Sequence, residues 1–157
     1  MLAATVVTQA NPPTKECNPQ MNYARIVLGG LVAGLVLTIG EYILNEVVLK
    51  EQMTEMFRRF NITPPSGSFI AIAVILTFAL GILLVWLYAM IRPRYGPGPK
   101  TAICAALVVW FVVGVYMNIL FGVSLGISTS LIAIGMVWCL VEYCLATIAG
   151  AWVYQEA

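Results

Sequence analysis

Between Lys100 and Glu142 the chain carries no charged residue. Such a run cannot cover a soluble domain, in which about a quarter of all residues are charged. It is also too long for a single bilayer crossing, which takes roughly 20 residues. The segment GVSLGISTS near its middle divides it into two spans joined by a tight hairpin. Two more apolar stretches precede it, giving predicted spans at about 25–47, 69–91, 101–123 and 129–154. In lipid the backbone must satisfy its own hydrogen bonds, so these spans are expected to be helices. The expected fold class is therefore all-α: a polytopic membrane protein whose four transmembrane helices form a bundle integral to the membrane. A composition of 61% hydrophobic and 10% charged residues agrees with that reading.

Residues 25–157 read as one four-span membrane domain, preceded by a polar leader over 1–24. The leader has no positive n-region and only a weak apolar run, so it is expected to be a mobile terminus rather than a secretory signal. A binding role of its own is the alternative. After the first span, Leu49, Met53, Met56 and Phe60 keep helical spacing opposite Lys50, Glu51, Glu55, Arg58 and Arg59. That makes 47–60 an amphipathic helical extension, lying in the interface or continuing the first span as a rod. Ser66 or Ser68 is placed to cap the second span and Thr101 the third. An even number of spans puts Lys15, Arg25, Arg92, Arg94 and Lys100 on one side, against Lys50, Arg58 and Arg59 on the other. The positive-inside rule then gives both termini to the cytoplasm, with a bacterial inner membrane as the setting.

The first span also carries a stripe of small and polar residues, Gly30, Gly34, Thr38, Glu41 and Asn45, along one helical face. Gly30 and Gly34 let a neighbouring helix come close, and Gly81, Gly114 and Gly135 are the corresponding packing positions on the other spans. Glu41, Asn45, Asn118 and Glu142 are the candidate buried polar residues. No Lys, Arg or His lies inside any span. A carboxyl there has no opposite charge in this chain, and a lone charge in lipid is costly. Counting rise along the spans pairs Glu41 with Asn118 and leaves Glu142 roughly 10 Å away along the normal. Three readings remain open for the carboxyls. They are neutral hydrogen-bond donors, they exchange protons or bind a cationic substrate, or they meet a group from another subunit.

The sequence contains no His and no Asp. That removes the usual general base and the commonest metal ligand, so no catalytic or metal site is read and no enzyme is expected. Cys17, Cys104, Cys139 and Cys144 form no C-x-x-C pair. A net charge of +1 gives no general attraction to nucleic acid. Arg92, Arg94, Lys100, Arg58 and Arg59 offer surfaces to lipid headgroups or partners. Trp110, Phe111 and Trp138 are read as lipid-facing or core, with a bound lipid or pigment as the alternative; no cofactor is predicted. Four spans and a membrane Glu are also found in small multidrug exporters, but the insertion after the first span and the placing of the carboxyls depart from them. The order of parts from Met21 to Tyr154 resembles small bacterial four-helix integral membrane proteins of unknown function. That resemblance implies a fold and no activity. The expected function is a non-catalytic accessory or structural subunit of a larger membrane complex, such as a photosynthetic or respiratory one. The alternative is a small proton- or cation-coupled transporter using Glu41 and Glu142.

Overall fold

The computed structural model describes residues 21–63 and 65–155, and these form helices and short links with no strand. Helix α1 (Tyr23–Val48) ends in a π-helical turn, Leu44–Val48. Helix α2 is Lys50–Arg59, α3 is Gly67–Tyr95, α4 is Pro99–Ser124 with a π-helical stretch at Trp110–Met117, and α5 is Thr129–Val153. All but α2 are long and apolar enough to cross a bilayer, so the protein is an all-α polytopic membrane bundle.

The boundaries differ from expectation where a local signal outweighs composition. Residues 1–20 of the expected leader lie outside the described residues. Its last two described residues run into α1, because Asn22 caps that helix by accepting a hydrogen bond from the Arg25 amide at 3.1 Å. Ser66 caps α3 in the same way through the Phe69 amide. The basic stretch 92–100, expected as a loop, is helical through Tyr95 with Pro93 inside the helix. Gly96, at φ +82, stops it, leaving only a short link before Pro99 opens α4. Thr101 then lies within α4, and its hydroxyl donates to the Gly96 carbonyl at 2.7 Å. Neither π-helical stretch is foreseen by the apolar pattern, which cannot tell one wide turn from an ordinary one.

In cross-section α1 packs on α3 and α5, and α4 packs on the other flank of those two. α3 and α5 make a closer diagonal, and α1 and α4 stand at opposite corners. The α1–α3 seam is built on glycine. A Cβ on Gly30 would stand 2.5 Å from the Ile82 Cα, and one on Gly81 would meet the backbone of Gly30 and Gly34. Gly29 and Gly150 bring the α1 and α5 backbones together in the same fashion. Close approach of this kind is how helices gain van der Waals contact where lipid removes the hydrophobic drive.

The tight packing is confined to one half. The buried residues of α3 run from Gly81 to Ala89, all in its second half, and they meet Ala102, Ala105 and Ala106 at the start of α4. This half also holds the α3–α4 link, and Arg92 lies over the Tyr154 ring there. It is called the basic end below. Toward the opposite end, α4 keeps its contact with α5 but leaves α3. There α2 breaks from α1 at Leu49, and its last turn reaches the α4–α5 turn, where Arg59 Nη1 donates to the Gly126 carbonyl at 3.4 Å. α2 therefore crosses the open end of the bundle instead of extending α1 as a rod. Met53, Met56, Phe57 and Phe60 are half-buried while Lys50, Glu51, Glu55, Arg58 and Arg59 are exposed.

Candidate functional site

Between the α2-end halves of α1 and α5 lies a cavity of about 700 Å3. Val36, Ile39 and Ile43 give the α1 wall, one helical face by their spacing. Ala133, Val137, Trp138 and Leu145 line the α5 wall. Gly40 and Ala133, which also line it, provide no bulk to fill the seam. Ile39, Ile43, Val137 and Leu145 are all exposed, so in a bilayer the groove opens to the acyl chains.

One polar side chain interrupts this wall. Glu142 is only 5% exposed, yet neither carboxyl oxygen has a hydrogen-bond partner among the described residues. Its carboxyl fills the space that a Cβ on Gly40 would occupy. The Glu41 backbone is the polar group it faces, without hydrogen-bond geometry being met. Glu41 is half-buried on the adjoining face of α1 and within electrostatic reach of Glu142, Cys139 and Tyr143. Two carboxyls this close, with no cation in the span, cannot both carry charge at low cost.

That the two carboxyls come within electrostatic reach has a simple geometric origin. Side chains on a helix lean toward its own N-terminus. α1 and α5 are antiparallel, as the Gly29–Gly150 and Gly40–Glu142 contacts establish, so Glu41 leans toward the basic end and Glu142 toward the α2 end. They converge although their Cα atoms sit at different depths. Counting rise alone misses this, and it is why the expected offset between them does not keep them apart.

The expected Glu41–Asn118 pair is absent. Asn118 is on α4, which occupies the corner opposite α1, and its side-chain oxygen packs against Gly135 of α5 instead. Asn45 takes its place: its amide donates to the Glu41 carboxyl at 3.1 Å and to the Glu41 backbone carbonyl at 2.8 Å. Gly30, Gly34 and Gly81 meet in the α1–α3 seam, while Gly114 and Gly135 lie between α4 and α5. All five are thus spent on packing within the chain. Arg94 and Lys100 are exposed at the basic end and Arg92 is half-buried against Tyr154. Arg58 and Arg59 are exposed on α2. Trp110 donates its indole N–H to the Met136 carbonyl at 2.8 Å, whereas the Trp138 N–H is buried without a partner. Sequence reasoning placed Trp138 among the aromatic residues of the spans and did not see it share a wall with Glu142. The i, i+4 spacing of the two was the available signal.

Among the described residues, no group of three or more His, Cys, Asp or Glu stands together as a metal site. The fold and the groove define the class: a small α-helical membrane protein of four spans with a carboxyl-bearing groove that opens to lipid. A scan of protein-family models and searches of curated proteins and of solved structures each find no match to this chain.

Proposed function

We propose that the protein is a small proton-coupled transporter that takes lipophilic cations from the bilayer into the α1–α5 groove. It is not an enzyme on this reading. The observation that carries the proposal is Glu142, a buried carboxyl without a hydrogen-bond partner in the wall of an otherwise apolar cavity. An intramembrane carboxyl is expensive and normally faces a partner, a pathway or a ligand. A bound cation would replace the proton at the Glu41–Glu142 pair, and its departure would leave a carboxylate that takes up a proton again. The glycine stripes, the other candidate partner surface, already meet one another inside the chain. Both termini are cytoplasmic and the membrane is a bacterial inner membrane in this proposal, from the excess of Lys and Arg at the basic end.

The test uses liposomes loaded with a pH-sensitive dye and exposed to ethidium as the probe cation. Ethidium is expected to release lumenal protons with wild-type protein and to release none with Glu142→Gln. Equal rates for the two proteins, or no release by either, would overturn the proposal. The accessory-subunit reading draws on a different observation. The charged face of α2 stands exposed across one end of the bundle, where a second protein or subunit could dock. It requires a stoichiometric membrane partner to co-purify after gentle extraction, and recovery of a lone monomer or homodimer would remove it.

A further inference from the structure

Glu142 is not the only unsatisfied polar group in the groove. Trp138, four residues earlier on α5, lines the same cavity, and its indole N–H, like the Glu142 carboxyl, is buried just beneath the wall without a partner among the described residues. The spacing puts the two side chains on one helical face, about 6 Å apart along the axis. One is a donor only; the other, when ionised, is an acceptor only. A buried polar group left unpaired costs far more than a made hydrogen bond returns, so two such groups of opposite sense in one apolar wall specify their complement. Bilayer acyl chains offer neither a donor nor an acceptor. We infer that the groove selects lipophilic amines carrying a hydrogen-bond acceptor roughly one helical turn from the nitrogen. The ammonium group pairs with Glu142, whose carboxyl lies beside Gly40 just beneath the groove surface. A carbonyl or ether oxygen on the same molecule accepts from Trp138 Nε1. This rests on the reading of the groove as a cation site and adds the second point of recognition.

The test compares two probes that differ at one atom: an arylalkyl tertiary amine with a ketone placed about 6 Å from the nitrogen, and the same amine with that ketone reduced to methylene. Binding to purified full-length protein in detergent is measured by calorimetry. The ketone is expected to bind wild-type protein about tenfold more tightly, the scale of one made hydrogen bond against one left unmade. Trp138→Phe keeps an aromatic ring and removes the N–H, and it is expected to erase the ketone's advantage over the methylene probe. Glu142→Gln is expected to weaken both probes. If both bind and need Glu142, but the ketone has no advantage in wild type or keeps it in Trp138→Phe, the inference fails and the cation site stands. If neither probe binds wild-type protein, or neither depends on Glu142, the cation site fails and the inference with it.

Discussion

The two halves of this bundle solve opposite problems with the same residue types. At the basic end, small residues face small residues and helix backbones touch: Gly29 meets Gly150, and Ala102, Ala105 and Ala106 are fully buried against α3 and α5. Nearer the α2 end, Gly40 and Ala133 are just as small, but beside Gly40 it is the Glu142 carboxyl and not a helix backbone that packs, and a groove of about 700 Å3 remains. A small residue within a span is therefore ambiguous. It marks close packing where the facing helix can approach, and a cavity where a long side chain such as Glu142 holds the helices apart. Thr147, fully buried on α5, donates to the Tyr143 carbonyl at 2.7 Å, while the carboxyl of Glu142, one residue from Tyr143, has no hydrogen-bond partner among the described residues. One half is built for stability and the other gives some of it up.

The harshest way to break this contrast is Gly81→Leu. Any side chain at position 81 runs into the backbone of Gly30 and Gly34, which cannot rotate away as a side chain could. Overpacking costs about 1–3 kcal/mol, and occasionally more; backbone contact puts this case at the upper end or beyond. Unfolding in mixed detergent, followed by circular dichroism, is expected to show loss of at least that much stability or no folded protein. If Gly81→Leu were tolerated, the α1–α3 seam would not be the close-packed element described above.

Glu142→Met should move stability in the other direction. It keeps the volume of the side chain and replaces an unpartnered buried carboxyl with an apolar group. An unsatisfied buried polar group costs about 1–3 kcal/mol, and a gain toward that size is expected in the same unfolding measurement, together with loss of ethidium-driven proton release. A stabilised but inactive protein is what a site under functional constraint produces. A destabilised one would mean that Glu142 has a bonding partner in the folded protein, and the contrast between the halves would weaken.

The sequence makes the spans readable because bilayer thickness and the cost of bare backbone in lipid leave few alternatives. Even the α3 cap at Ser66 is visible as a serine before an apolar run. It does not say which helices are neighbours. The small-residue stripes mark packing faces without saying which helix meets which, and nothing in the residues themselves puts α4 at the corner opposite α1. That one fact decides whether Glu41 meets Asn118 or Glu142. The site was half legible for the same reason: Glu41, Asn45 and Glu142 stand out as rare polar residues in lipid, but their partners depend on helix order and on the lean of side chains along antiparallel axes. The i, i+4 spacing puts Trp138 on the Glu142 face, but an unmade hydrogen bond leaves no mark in sequence.

The finest division in the open half is between its two carboxyls, and Asn45→Ala probes it. Glu41 is held by the Asn45 amide, which also bonds the Glu41 backbone carbonyl just before the π-helical turn at Leu44–Val48. Removing that amide leaves both Glu41 and Glu142 without side-chain hydrogen bonds. A loss of about 1 kcal/mol is expected, the usual size for a part-buried hydrogen bond, which is opposite in sign to Glu142→Met and smaller. The two effects should not add, because the carboxyls are within electrostatic reach of each other, and neighbours of that kind interact in double-mutant cycles. With Met at position 142, Glu41 no longer faces a second carboxyl, so the cost of Asn45→Ala should shrink. A cycle that closes to zero would mean that Glu41 and Glu142 act as separate groups, and the carboxyl pair that the transport reading uses would not be a pair.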